Sequence, residues 1–186
     1  RVEKLPRDEQ QEMLLRIKEF YRGYTLFTAD PIFRDNGYHV IRNSGQVVAG
    51  LQIHPVTWKI VDFGSGWVNR MAKWLAGIPF VKRRLDPGAL RLLAFDGIYC
   101  KPGHEGDLYE LMEGVLKREK RYLAMLMMDN RSSLFRIFEE KKELGILHRI
   151  LGSFEADVRM KFIRIPDQVR RDYMDHPVYI STYDHS

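Results

Sequence analysis

The stretch Leu90–Asn130, LRLLAFDGIYCKPGHEGDLYELMEGVLKREKRYLAMLMMDN, decides the fold of this 186-residue chain. Residues 90–99 are largely apolar and mixed enough to form a central strand buried on both faces. Asp96 and Gly97 interrupt that run, which predicts a bulge or a close backbone approach. Lys101-Pro102-Gly103-His104-Glu105-Gly106 then reads as a tight loop into a helix over 107–120. Leu108, Leu111, Met112, Val115 and Leu116 form the apolar stripe of that helix, and Asp107 with Glu110 makes a capping-box-like start. Tyr122 to Met128 returns as a second buried strand. Asp129-Asn130-Arg131-Ser132 supplies cap residues for a further helix to about Lys142, with Leu134, Phe135 and Phe138 inward. A strand running through a glycine-containing loop into a helix aims several backbone N–H groups, and about half a positive charge, at one spot that suits phosphate. Neither a Walker pattern nor Gly-x-Gly-x-x-Gly is present, so a nucleotide hydrolase or a dinucleotide dehydrogenase is not supported.

Upstream of that stretch, Met13, Leu14, Ile17, Phe20 and Tyr21 recur at helical spacing, predicting a helix over the first twenty-odd residues that ends at Gly23. From Tyr38 the period changes to two. Tyr38–Asn43 and Gln46–Ile53 flank a short polar link, Asn43-Ser44-Gly45, that suits a hairpin. The second arm is expected to run past Pro55 through Trp58, Ile60, Val61 and Phe63, with Pro55 needing an edge or a bulge. Residues 64–89 read as an insertion: an amphipathic helix bearing Trp67 and Trp74, then the basic loop Lys82-Arg83-Arg84. Its 66–85 portion fits a helix packed on the sheet, a peripheral membrane contact, or a cover over a cleft. Downstream, Phe154, Ala156, Val158, Met160 and Phe162 alternate with charged residues as a half-buried strand, and Val178–Tyr183 offers one more.

The expected architecture is therefore α/β (α+β): a mixed, mostly antiparallel sheet with helices on both faces, in a single domain over 1–186. A chain that begins at Arg1 is compatible with a piece of a longer one. Hydrophobic residues at 45% and charged residues at 30% exclude collagen, low-complexity disorder and a coiled coil. The lone cysteine, Cys100, excludes an internal disulfide framework and fits a reducing, cytoplasmic setting. No apolar run reaches the roughly 20 residues of a membrane span. The six histidines are scattered without the pairing of a zinc enzyme, so no metal site is expected. A net charge of +5 favours anionic partners in general, yet acidic residues lie between the basic clusters and no specific nucleic-acid module appears.

The succession from residue 38 to residue 163 resembles the GNAT superfamily of acyl-CoA-dependent N-acyltransferases. Tyr38–Asn43 and Gln46–Ile53 look like its antiparallel pair, Leu92–Cys100 like its central strand, and residues 103–108 like its pyrophosphate loop. Tyr122–Asp129 looks like the strand that splays away, and Asn130 like the asparagine opening the next helix. Gly103 stands at the family's Arg or Gln position, Gly106 matches the first small residue, and Leu108 occupies the second small position. The resemblance implies acetyl-CoA or another acyl-CoA as substrate. Its pyrophosphate would lie on the amides of Gly103, His104, Glu105, Gly106, Asp107 and Leu108, and its thioester near Gly97, Ile98 and Tyr99. It also implies direct acyl transfer to a small-molecule amine. The alternative is a GNAT-like domain without catalysis that serves as a binding or partner module, in a homo-oligomer or beside another domain.

Acyl transfer to an amine needs a base for the ammonium proton. Asp96, interrupting an apolar strand where burial opposes ionisation, is one candidate; it reads equally as a carboxylate hydrogen-bonded to backbone at a bulge. His54, after a strand and before Pro55, is the other; it reads also as a surface or edge histidine. Asp62 has a weaker case, and Cys100, at the end of the central strand, reads as buried and inert.

Overall fold

The computed structural model describes residues 1–59, 89–141, 161 and 163–183. Ile60, Val61 and Phe63 of the expected second arm, Asp62, the insertion expected at 64–89 with its basic loop, and the strand expected at 154–162 lie outside the described residues, Ala89 and Lys161 apart. Two compact units are formed, one from Arg1–Glu19, Ala29–Leu126 and Ser181–Ser186, the other from Phe20–Thr28 and Met127–Ile180.

The first unit is built on a five-stranded sheet in the order β1 (Glu3–Lys4), β2 (Tyr38–Asn43), β3 (Gln46–Trp58), β4 (Leu90–Cys100) and β5 (Ala124–Met125). The β1–β2, β2–β3 and β3–β4 pairings are antiparallel and β4–β5 is parallel. This is the mixed, mostly antiparallel α/β fold expected from the sequence. The β2–β3 hairpin turns on Ser44 and Gly45, both at positive φ (48° and 81°), the two-residue geometry whose twist matches the flanking strands. Along β4, Leu92 to Ile98 are buried without alternation, so both faces of the sheet are covered there. Pro55 falls beyond Gln52, the last β3 residue opposite β2, and so meets the expected edge without costing a ladder bond on that side.

Among the described residues the helices are α1 (Gln10–Phe20), α2 (Glu105–Arg118), α3 (Ser133–Lys141) and α4 (Asp167–Asp175). Helix α2 packs on β2, β3 and β4. Leu108, Leu111 and Val115 are fully buried, each worth about 1.5–3 kcal/mol of burial. Glu105 and Asp107 in its first turn and Lys117 and Arg118 in its last complement the macrodipole. Its C-terminus is a Schellman turn: Lys120 adopts φ 52°, Arg121 N–H donates to Leu116 O (2.9 Å) and Lys120 N–H to Lys117 O (3.3 Å). With lysine in the left-handed position there was no glycine to mark the end, and the helix stops short of the expected residue 120.

Other element boundaries also differ from the sequence reading. The chain opens with strand β1, followed by buried Leu5, whose N–H donates to Tyr38 O (2.9 Å); α1 starts only after Pro6 and a single 3-10 turn. Arg42 fastens that opening by ion pairs to Glu3 and Glu9, both at 2.5 Å. Strand β5 is two residues long rather than Tyr122–Met128, and Tyr122 is exposed. Its ladder with β4 consists of Leu93↔Ala124 and Ala94↔Met125, so the pairing is confined to the first half of β4.

In the second unit, Thr25 bridges Val178 in parallel, with Thr25 N–H to Pro177 O and Tyr179 N–H to Thr25 O, both 2.9 Å. Tyr21 stacks on Phe27 and meets Tyr24 and Tyr179 edge-on, all with centroids within 5.1 Å. The tail thus contributes one bridge at Val178 where a short strand was expected.

Candidate functional site

The interruption at Asp96-Gly97 is a bulge. Gly50 faces Tyr99 and Gln52 faces Asp96, so two steps along β3 match three along β4. Gly97 adopts φ 51°, and a Cβ there would lie 2.9 Å from Ile32 Cγ1 and Cδ1, so both the conformation and the close approach call for glycine. Tyr38, fully buried, donates its hydroxyl to Gly97 O (3.0 Å), and burial pushes that phenol well above its usual range.

Residues directly opposite across strands share a face, so Tyr38, Gln52 and Asp96 stand together, with His54 two residues further along β3 on the same side. The structure thereby brings the two expected bases, Asp96 and His54, onto one face as diagonal neighbours. Both are buried. Asp96 Oδ1 accepts the Gly97 N–H (2.9 Å) and Oδ2 accepts the Ser181 hydroxyl (2.6 Å). His54 lies against the ring of Tyr183, centroids 4.3 Å apart, and the Arg34 guanidinium sits 5.6 Å from the centroid of that ring. Gln52 is saturated: Oε1 accepts Phe33 N–H (2.9 Å), and Nε2 donates to Arg34 O and Ile53 O (both 3.0 Å). This side chain fixes the turn Phe33–Asn36 over the sheet face.

The expected pyrophosphate loop follows the same strand. Lys101 N–H donates to Val48 O (2.8 Å), anchoring the loop to β3, and His104 N–H donates to Lys101 O (3.0 Å). Gly103 has φ 82°, with nothing within 4 Å of a Cβ built on it, so the loop's outer surface is open at that point. The helix begins at Glu105, two residues before the expected capping box. The reason is local: Glu105 Oε1 reaches back to Gly103 N–H (3.0 Å), while Asp107 Oδ2 takes His104 Nδ1 (2.7 Å) instead of capping. Two of the acidic groups at this helix start are thus engaged locally. Leu108 points into the core, fully buried, so it packs the helix rather than standing over the loop. The Gly97 N–H, expected near the thioester, is given to Asp96; Ile98 is buried and Tyr99 half-buried.

Asn130 belongs to the second unit and does not open α3. Ser132, fully buried, does so, its Oγ accepting Phe135 N–H (3.1 Å). Asp129 beside it accepts from Arg131 (2.7 Å) and from Val178 N–H (2.9 Å), and chiefly the Arg131 guanidinium holds its carboxyl down to about 2. Arg131 in turn donates to Met174 O and His176 O. Asp129, Arg131 and Ser132 therefore serve as a local clasp. Cys100 is buried, as expected. Among the described residues no group of metal-binding side chains forms, and no helix is long and apolar enough to cross a membrane.

Sequence reasoning missed Gln52, Ser181, Tyr183 and Arg34. Gln52 carried a signal, as a polar residue inside an apolar strand. Ser181 carried none, because its partner Asp96 is 85 residues away.

No family model matches the sequence, and no curated protein matches it. The solved structures to which the chain is similar include a GCN5-related N-acetyltransferase from Ralstonia eutropha JMP134, 14% identical with a TM-score of 0.46, covering 88% of this chain and 97% of that one. A predicted acetyltransferase with acetyl-CoA from Clostridium acetobutylicum is 13% identical with a TM-score of 0.44, covering 88% and 95%.

Proposed function

We propose that this chain is an acyl-CoA-dependent N-acyltransferase, moving an acetyl or longer acyl group directly to a small-molecule amine in the cytoplasm. The observation that carries the reading is the β4–loop–α2–β5 unit. A central strand bulges at Asp96-Gly97, runs through a loop tied to β3, and starts a helix whose parallel return strand pairs with only the first half of β4. That arrangement supports a phosphate-bearing ligand at Gly103 to Asp107, where Gly103 leaves the loop surface open and the helix N-terminus favours negative charge. When bound, acyl-CoA supplies the activated acyl group. The chain's own residues supply the rest: Asp96 or His54 takes the ammonium proton, directly or through water, and Gln52 and Tyr38 hold the strand positions from which they act.

A second reading, a GNAT-like domain that binds a ligand or partner without catalysis, is favoured by one observation. The Asp96 carboxylate is spent on the Gly97 N–H and on Ser181. The two are separated by following free thiol from acetyl-CoA and longer acyl-CoAs with a panel of amines. Amine-dependent release that falls at least about tenfold in Asp96→Asn or His54→Gln supports the enzyme. Ligand binding without release in the wild type supports the binding module.

A further inference from the structure

Strands β3 and β4 contribute Asp96 and His54, but neither side chain is held by those strands alone. Both are met by one short segment from the far end of the chain. Ser181, itself buried, donates its hydroxyl to Asp96 Oδ2 at 2.6 Å. Two residues on, the Tyr183 ring lies 4.3 Å from the His54 ring and tilted by 36°. Tyr183 is 38% exposed while His54 is 5% exposed, so on the Tyr183 side the imidazole is shielded from solvent by that ring. The Arg34 guanidinium, from the turn that Gln52 fixes, also lies over the Tyr183 ring, 5.6 Å from its centroid.

We propose that Ser181 and Tyr183 are positioning residues of the candidate site. Ser181 fixes the orientation of the Asp96 carboxylate, and Tyr183 fixes the plane of the His54 imidazole and controls its access to solvent. The inference rests on the reading of Asp96 and His54 as the site's bases, but the contacts it invokes exist whatever ligand the protein takes. It assigns to the site a third element that strand periodicity did not reveal. The spacing is what makes one segment suffice. Gln52 and His54 are i, i+2 on β3 with Asp96 opposite Gln52, and Ser181 and Tyr183 repeat the same two-residue step above them.

The test reads the two side chains directly, without acyl-CoA. Carbethoxylation of His54 by diethyl pyrocarbonate, followed by mass spectrometry, should accelerate at least about tenfold in Tyr183→Ala and stay near the wild-type rate in Tyr183→Phe, which keeps the ring. In protein labelled with carbon-13 aspartate at neutral pH, the Asp96 carboxyl resonance should move in Ser181→Ala and return towards its wild-type position in Ser181→Thr, which keeps a hydroxyl. Unfolding midpoints are recorded alongside, so that a general loosening, which would raise the reactivity of every buried histidine, is recognised by His39 becoming reactive as well. Unchanged His54 reactivity in Tyr183→Ala, reactivity raised equally at His39, or an Asp96 resonance indifferent to Ser181→Ala would overturn the proposal. Failure of the protein to bind any acyl-CoA would remove the acyltransferase reading while leaving these results standing.

Discussion

Gln52 and Asp96 on one face of the central sheet and His39 on the other are buried polar side chains held in opposite ways. On one face Gln52 and Asp96 are fully buried or nearly so, and each is held by hydrogen bonds from a neighbouring segment. On the other face stands His39, fully buried beside Tyr38 in β2. Its Nδ1 donates to Gly37 O at 3.1 Å, and its Nε2 has no hydrogen-bond partner. A carbonyl only accepts, so the proton sits on Nδ1 and the lone pair of Nε2 is the orphan. Lys4 from β1 and Arg118 and Glu119 from the end of α2 are the charges that act on it. The difference teaches where polarity is built and where it is merely endured. Asp96 and Ser181 support each other, and Gln52 is held by the turn that it fixes. His39 is an isolated group whose burial pushes its imidazole below the usual range, so that it stays neutral.

The contrast can be broken most severely at the bulge. Gly97→Ala is expected to cost about 3 kcal/mol, combining the strain of a side chain at φ 51° with crowding against Ile32. Chemical denaturation reads this, and a loss below about 1 kcal/mol would mean that the bulge relaxes freely. Next comes Asp96→Ala, which strips the acceptor from the Gly97 N–H and the Ser181 hydroxyl and should cost about 2 kcal/mol. A neutral outcome would show that the network on this face does not stabilise the fold.

The smallest effect is expected on the other face. His39→Leu at neutral pH should be within about 1 kcal/mol of the wild type, because the lost Gly37 bond is offset by removal of an unsatisfied buried group. Its pH dependence is the sharper readout. The folded protein takes up the His39 proton less readily than the unfolded chain, whose histidine titrates near 6.5. The stability associated with neutral His39 is therefore complete above pH 6.5 and declines as pH falls from there toward the lower folded value. His39→Leu should flatten that decline, and an unchanged slope would place its origin elsewhere.

How much of this was legible in the sequence follows from how local each determinant is. The β2–β3 hairpin, the buried run of β4, its interruption at Asp96-Gly97 and the stripe of α2 all rest on neighbours within a few residues, and each was readable. The opening strand β1 was not, because a two-residue strand has no period and gains its place by pairing with residues 39 and 40. The start of α2 was misplaced because Glu105 and Asp107 turned to Gly103 and His104 rather than to the cap. Asp129 to Ser132 all read as cap residues and the resemblance pointed to Asn130, but Ser132 is the cap and Asp129 with Arg131 forms a separate clasp. Asp96 was legible as a polar residue interrupting an apolar strand, whereas His54, expected after a strand, lies within β3 and is buried. The chain segment that holds them was not, since no local pattern couples Ser181 to a strand 85 residues away.

The central claim is that the β4–loop–α2 unit receives an acyl-CoA, and the unfolding midpoint with and without acetyl-CoA and longer acyl-CoAs tests it most directly. Ligand at a hundredfold its Kd should add about 2.7 kcal/mol, a shift of several degrees for a chain of this size. A rise with at least one acyl-CoA is the predicted result, and no rise with any of them would contradict it.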